Sequence, residues 1–146
     1  MNPPQPILWI HGDNLNRHGP AFTAYPTAPA LWVWDEALLR QWQISLKRIV
    51  FIYECLLDLP VVIRRGTLAT ELGRFAAEHE TNQVVTAASP SPRFREIVTE
   101  LEQRGLTVTI LPERPFVKTD TQLDLKRAAR YWRAVKQAAL YPEKTP

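Results

Sequence analysis

The chain has 146 residues, 45% hydrophobic and 23% charged, which is typical of one folded domain and excludes a disordered, collagen-like or coiled-coil chain. The net charge is +3, but residues 113–146 carry +4, from eight Lys or Arg and four Asp or Glu, and the rest carries −1. No apolar run is long enough for a membrane-spanning helix, and the N-terminus lacks a signal-peptide pattern. Cys55 is the single cysteine, so an internal disulfide is excluded and we expect a cytoplasmic protein.

Five short apolar segments are the predicted β-strands, because each is bounded by Gly, Pro or polar residues. They span residues 7–11, 30–35, 59–64, 82–87 and 106–111. Residues 12–29, between the first two strands, are polar and rich in Asn, Gly and Pro, which predicts a long loop. A loop of this length inside a compact domain is usually functional or mobile.

The segments after the second and third strands show helical patterns. Apolar residues recur at spacings of three and four from Leu38 to Leu57, which predicts one amphipathic helix over residues 36–58. Thr67 is the predicted N-cap of a helix that ends near His79.

Two further helices are predicted in the second half of the chain. Ser91 and the proline after it open one helix, and Gly105 ends it. Asp120 is the predicted N-cap of a last helix that runs to about Leu140. Because strands alternate with helices, we predict an α/β protein with a Rossmann-like, three-layer α/β/α fold and a five-stranded parallel sheet.

Small and polar residues follow the predicted strands, and ligands bind at the carboxyl ends of the strands in such sheets. The candidate cofactor-binding residues at this edge are His11, Gly12, Asp13, Asp35, Ala88 and Ser89. The small residues leave room for a ligand near the backbone, and free N–H groups at the helix start near Ser91 could hold an anion. The alternative is an empty or vestigial crevice.

Standard signatures of catalysis and of nucleotide binding are missing from the sequence. Neither G-x-G-x-x-G after the first strand nor G-x-x-x-x-G-K-[ST] occurs. His11, Asp13 and His18 could approach one another in the first loop, but such residues more often form turns and caps than a metal site. Cys55 has no local partner, so burial in the core is its expected role. We therefore expect neither catalytic residues nor a metal.

The last predicted helix combines a large aromatic residue with many cations. Trp132 belongs to an apolar stripe that could pack on the sheet or dock on another protein. The candidate partner-docking residues are Lys126, Arg127, Arg130, Trp132, Arg133 and Lys136. The surplus of positive charge favours an acidic protein partner over DNA, which stays possible. The alternative is a solvated helix face.

Four segments, taken in order, carry a resemblance to a known family. They are ILWIHGDNLNRHGPAF, ALWVWDEALL, SLKRIVFIYECLLDL and VVIRRGT. Together they resemble the N-terminal α/β domain of the DNA photolyase and cryptochrome family, which has an R-x-x-F-L-x-E-S-L-x-D-L helix followed by a strand that ends in R-x-G. The residues that match these two motifs are Arg48, Phe51, Ile52, Glu54, Leu56, Asp58, Leu59, Arg65 and Gly66. The resemblance covers residues 6–118.

The resemblance implies the strand order 3-2-1-4-5, an α/β domain over residues 1–118 and a basic helix and tail over residues 119–146, packed on that domain or projecting from it. It also implies a site for a light-harvesting chromophore, namely a folate, a deazaflavin or a flavin. The chain departs from the family after the first strand, where His11-Gly12 replace an arginine pair, and after the fourth strand. The family's helical domain binds the catalytic FAD and is too large for this chain, so we expect neither catalytic FAD nor photorepair.

Two functions stay open at this point. The first is a non-catalytic accessory or interaction protein that docks a separately encoded flavin domain or another assembly through its last helix. The second is a binding module for the chromophore. The charge of the last helix favours the first, and the missing catalytic patterns place both ahead of an enzyme.

Overall fold

The computed structural model of the protein describes residues 5–113, 115, 117, 119 and 122–140. The chain forms two compact units, Met1–Glu113 and Arg114–Pro146. The first unit contains the sheet, and the second contains the last helix. None of the helices in the described part of the chain has the length and apolar character needed to cross a membrane.

A parallel sheet organises the first unit. The strands are β1 (Ile7–Trp9), β2 (Ala30–Trp34), β3 (Val62–Arg65), β4 (Gln83–Ala87) and β5 (Thr107–Leu111). The helices are α1 (Pro20–Ala24), α2 (Glu36–Gln41), α3 (Leu46–Leu57), α4 (Leu68–Glu78) and α5 (Pro92–Gln103), with α6 (Ala128–Leu140) in the second unit. The strand order is β3-β2-β1-β4-β5 and every neighbouring pair is parallel. The predicted Rossmann-like α/β fold and its strand order are therefore confirmed.

The side chains of β2 belong alternately to two hydrophobic cores, one on each face of the sheet. Leu31 and Val33 pack with the buried residues of α4 and α5. Ala30 and Trp32 pack with those of α1 and α3. Successive side chains of a strand point to opposite faces, so a central strand covered on both sides needs an unbroken apolar sequence.

The single helix predicted over residues 36–58 is wrong, because two helices form there. Gln43 has a φ of 50°, a left-handed conformation that cannot continue a helix, and it follows the end of α2. Ser45 then begins α3, and its Oγ accepts a hydrogen bond from the N–H of Arg48 at 3.3 Å. The apolar residues of α2 and α3 therefore do not form one continuous stripe.

The buried face of α3 also differs from the predicted one. Ile52 and Leu56 are its buried residues, packed in the core with β2. Four other residues of the predicted apolar pattern are exposed by 48–74%, namely Leu46, Val50, Tyr53 and Leu57, and Phe51 is exposed by 60%. Spacings of three and four occur on both faces of α3, so periodicity does not distinguish the face that packs on the sheet.

The long loop predicted over residues 12–29 contains the short helix α1. Pro20 is at its first position, where a fixed φ suits a helix start, and Ala21 and Phe22 are buried. Asn14 is buried as well, and its amide donates a hydrogen bond to the carboxylate of Glu113. The preceding strand β1 ends at Trp9, so His11 belongs to this packed loop rather than to the strand.

Asp35 connects the starts of two helices. Its Oδ1 accepts hydrogen bonds from the N–H groups of Ala37 at 3.1 Å and Leu38 at 3.2 Å, which begins α2. Its Oδ2 accepts a hydrogen bond from the N–H of Leu68 at 2.8 Å, in the first turn of α4. The predicted helix start at Thr67 is correct, but the Thr67 side chain makes no capping hydrogen bond. Asp35 therefore supplies the cap from a neighbouring strand end.

The sequence predicts the end of α5 correctly but not the start of α6. Gly105 follows α5 with a φ of 85°, as expected of a glycine that ends a helix. The last helix begins at Ala128, later than predicted, and its predicted cap Asp120 lies outside the described residues. Oδ1 of Asp124 accepts a hydrogen bond from the N–H of Lys126 at 3.0 Å, and this turn precedes the helix. Lys126 and Arg127 therefore lie before α6 rather than on it.

Asp35→Ala should lower the free energy of unfolding by about 2–4 kcal/mol, because each helix cap contributes about 1 kcal/mol and buried N–H groups without an acceptor cost about 1–3 kcal/mol. Asp58→Ala is the matched control, since it removes an exposed carboxylate at the C-cap of α3. The control should change the free energy of unfolding by less than about 0.5 kcal/mol. Urea unfolding measures both variants, and equal losses would contradict the role of Asp35.

Candidate functional site

A cavity of about 230 Å³ lies at the carboxyl edge of the sheet. His11, Gly12 and Asp13 reach it from the loop after β1, and Ser89 reaches it from the loop after β4. The strands β1 and β4 are neighbours where the strand order reverses, which is the position where open α/β sheets hold ligands. Four of the six predicted cofactor-binding residues therefore line one cavity.

The other two predicted residues lie outside the cavity lining. Asp35 turns its carboxylate to the backbone N–H groups that begin α2 and α4. Ala88 continues the pairing of β4 with β5, because its N–H donates to the carbonyl of Leu111 at 2.8 Å. Both residues are predicted to face a ligand because they follow strands. In the structure, Ala88 pairs through its backbone with β5, and the side chain of Asp35 caps two helices.

Aromatic rings form much of the cavity wall. Trp9 stacks on Phe94 with ring centroids 5.4 Å apart, and His11 lies against both rings at 5.6 and 5.4 Å. Trp42 also lines the cavity, and the guanidinium of Arg93 lies 5.0 Å from its ring centroid, a cation–π contact. The apolar pattern assigns Trp42 to the core face of a continuous helix and therefore gives no sign of this position.

Trp32 has a buried donor without an acceptor. The residue lines the cavity, is only 7% exposed, and its indole Nε1–H makes no hydrogen bond within the described part of the chain. Buried polar groups are nearly always paired, so this unpaired donor is an unusual feature of the core. The sequence gives no signal for this feature, since it depends on packing in the finished core.

Both ring nitrogens of His11 are engaged by the backbone. Nε2 lies 2.8 Å from the carbonyl oxygen of Ala87, so this nitrogen carries the proton and donates it. Nδ1 accepts a hydrogen bond from the N–H of Asp13 at 3.3 Å. Burial holds the pKa of His11 below its ordinary value, against smaller opposite effects of the Ala87 carbonyl and of the nearby carboxylates. His11 is therefore a neutral structural group of the site.

A short chain of hydrogen bonds joins the two loops at the cavity. The Ser89 hydroxyl donates to Oδ2 of Asp13 at 2.5 Å and accepts from the N–H of Ser91 at 3.1 Å. Ser91 is the N-cap of α5, as predicted, but its side chain makes no capping bond. Of the N–H groups at this helix start that the sequence offers for an anion, that of Ser91 is thus already bonded to Ser89.

Among the described residues, no group of three or more His, Cys, Asp or Glu side chains could hold a metal ion. His11 and Asp13 are close in the first loop, but they bond to the backbone and to Ser89. His18 is exposed, and its own N–H donates to Oδ1 of Asn16 at 2.8 Å. These contacts are local turns and hydrogen bonds between the two loops.

The second unit carries the predicted partner-docking residues on α6 and in the turn before it. Trp132 is 49% exposed. Arg130 forms an ion pair with Asp124 at 3.2 Å. The cations Lys126, Arg127, Arg133 and Lys136 are exposed. Exposed charge and an exposed indole therefore occur together in this unit.

Comparisons with protein-family models, curated proteins and solved structures give no match for this chain. The site is therefore interpreted from its own geometry.

Lowering the pH from 7.5 to 5.5 should lower the free energy of unfolding through His11. Above its ordinary pKa of about 6.5 the ring is neutral in both states. Below it, the unfolded chain takes up a proton that the folded chain resists, because burial lowers the pKa of His11. The loss is at most about 1.4 kcal/mol per pH unit.

His11→Gln keeps a donor for the Ala87 carbonyl but does not titrate, so its free energy of unfolding should change less with pH over this range. His18→Gln, at an exposed position, is the matched control and should behave like the native chain. Chemical unfolding at each pH measures the difference. If His11→Gln and the native chain show the same pH dependence, His11 is not held neutral by the fold.

Proposed function

We propose that this protein is a non-catalytic binding module for a planar aromatic heterocycle, held in the cavity at the carboxyl edge of the sheet. The observation that carries the proposal is a cavity walled by aromatic rings, with Trp9, Trp42 and Phe94 in its lining. Flat rings gain contact area from aromatic walls.

The size of the cavity narrows the ligand class. Cavities that enclose a whole drug-sized ligand measure about 300–1,000 Å³. This cavity, at about 230 Å³, accommodates one ring system with the rest of the ligand outside. A folate, a deazaflavin and a flavin each present such a ring system, and these are the chromophores that the resemblance to photolyases implies. The resemblance and the cavity thus support the same ligand class independently.

The polar groups of the cavity support binding rather than catalysis. His11 uses both ring nitrogens in backbone contacts, so it has no free position from which to move a proton of a ligand. Ser89 donates to Asp13 and accepts from Ser91. A general base needs an unengaged nitrogen or oxygen within reach of the reacting group, and among the side chains of His11, Asp13 and Ser89 only Oδ1 of Asp13 has no hydrogen bond to a described residue. Arg48 also lines the cavity, and among the described residues its guanidinium forms no ion pair, so it can meet an anionic substituent.

Gly12→Leu should weaken binding of the heterocycle at least about tenfold, because the added side chain occupies space at the cavity. The fold itself should tolerate the change, since a Cβ at Gly12 meets no atom within 4 Å. Gly73→Leu on α4 is the matched control, since a Cβ there is equally free and the residue is not in the cavity lining. Titrations with a folate, riboflavin and a deazaflavin, followed by tryptophan fluorescence, measure the affinities. Equal affinities for both variants, or no binding of any of the three compounds, would contradict the proposal.

A second candidate function is docking of an acidic protein surface through α6 and the turn before it, and it rests on the exposed Trp132 among cations. Aromatic residues are frequent anchors of interfaces, and surrounding positive charge speeds encounter with an acidic partner. Asp124 offsets Arg130, but Arg133 and Lys136 keep their exposed charge. A separately encoded flavin domain or another assembly fits this role.

Trp132→Ala and the double change Arg130→Glu with Arg133→Glu should each abolish capture of the acidic partner from the native cell extract. The control is Arg17→Glu with Arg95→Glu, an equal change in charge at exposed positions of the first unit, which should retain capture. If DNA is the partner, binding should instead fall steeply with salt and depend little on Trp132. Retention of the captured protein by both α6 variants would contradict the docking role.

A further inference from the structure

We propose that two copies of this chain associate through α3, which pairs with α3 of the second copy as an antiparallel, two-fold symmetric helix pair. The proposal goes beyond ligand binding and starts from the exposed apolar residues of α3. Leu46, Val50, Tyr53 and Leu57 are between 48 and 74% exposed, whereas Ile52 and Leu56 on the same helix are buried. Phe51 is also 60% exposed but lies outside this row of four residues. A helix that only covers its own sheet needs a single apolar stripe.

The spacing of the four exposed residues is that of a helix-pairing seam. Successive separations of four, three and four residues alternate as the core positions of a coiled coil do, with Leu46 and Tyr53 at one type of position and Val50 and Leu57 at the other. A helix of this length measures about 18 Å, and the seam extends from its first to its last residue. In an antiparallel pair, Leu46 of one copy lies opposite Leu57 of the other, and Val50 lies opposite Tyr53.

A shallow groove lies beside the first turn of α3. Its volume is about 300 Å³, and its apolar lining is formed by Leu39, Ile44 and Ile49. Ile49 precedes Val50 and lies one turn after Leu46, so the groove is next to the seam. An antiparallel pairing brings Leu57 of the second copy to this end of α3, where the groove can receive its side chain.

The charges beside the seam fit a second copy of the same helix. Lys47 and Glu54 are exposed, lie on the same flank of the seam seven residues apart, and form no ion pair with any other described residue. An antiparallel two-fold pairing brings Lys47 of each copy near Glu54 of the other, so the pair of opposite charges forms twice. In a parallel pairing, Lys47 and Glu54 would instead lie beside Ile49 and Leu56 of the second copy, which are apolar and offer no opposite charge. Leu56 already packs in the chain's own core, and Ile49 lines the groove.

Self-complementarity distinguishes a second copy from an unrelated partner. A two-fold interface uses the same patch on both subunits, so each apolar and charged position must find its complement within that one patch. α3 meets this requirement in its apolar seam and in its two flanking charges. Because the helix is short, the interface is small, and we expect a reversible equilibrium between monomer and dimer.

Sedimentation equilibrium of the full chain over a wide range of concentrations tests the proposal. The native chain should dimerise reversibly, and Val50→Glu should abolish the dimer because it buries a charge in the seam. Ile110→Glu is the matched control: Ile110 is an apolar residue of similar exposure, 44% against 48% for Val50, on β5 rather than α3. A native chain that stays monomeric, or a dimer that persists in Val50→Glu, would overturn the proposal.

A charge exchange tests the antiparallel geometry and the identity of the partner together. Lys47→Glu alone and Glu54→Lys alone should each weaken the dimer about tenfold, because two attractive contacts become repulsive. The double variant, Lys47→Glu with Glu54→Lys, should regain the native dimer affinity. Far-ultraviolet circular dichroism verifies that each variant is folded. Failure of the double variant to regain affinity would contradict the pairing of Lys47 with Glu54 of a second copy.

Discussion

The geometry of the cavity at the carboxyl edge of the sheet depends on the carboxylate of Asp35. It lies at the end of β2, is 8% exposed, and accepts backbone hydrogen bonds from the first turns of both α2 and α4. The first N–H groups of a helix have no partner within the helix, and a negative charge there is also favoured by the helix dipole. One buried side chain therefore supplies acceptors to two helix starts.

The same contact shapes the cavity. Leu38 and Leu68 donate their N–H groups to Asp35, and the side chains of both residues line the cavity. Asp35 thus positions two of the cavity walls without touching the space inside. Its predicted role as a ligand contact and its observed role as a helix cap have a common origin, which is its place directly after a central strand.

The opposite side of the cavity is held by contacts between the loops after β1 and β4. His11 binds the backbone of Ala87, and Asp13 binds Ser89. Such contacts hold the polar rim in one arrangement before a ligand arrives, which reduces the entropy lost on binding. Both ring nitrogens of His11 and the hydroxyl of Ser89 are engaged in these contacts, so the positions of the polar rim groups are fixed.

The sequence predicts most of the fold and part of the site, for identifiable reasons. The strands are apparent because a sheet covered on both faces demands unbroken apolar segments, as in residues 30–34. The break at Gln43 is not apparent, since the apolar spacing continues across it and the left-handed conformation of one glutamine leaves no pattern. The bond between Asp35 and Leu68 joins residues 33 positions apart, so local capping rules cannot anticipate it.

The tryptophans that line the cavity give the most direct test of ligand binding there. In a two-dimensional nitrogen–proton NMR spectrum the five tryptophans of the chain give separate indole signals, and Trp32→Phe identifies the one from Trp32. On saturation with a folate, a flavin or a deazaflavin, we predict that the signals of Trp9, Trp32 and Trp42 shift, because all three residues line the cavity. A compound that binds while all three of these signals stay unchanged would contradict binding at this cavity.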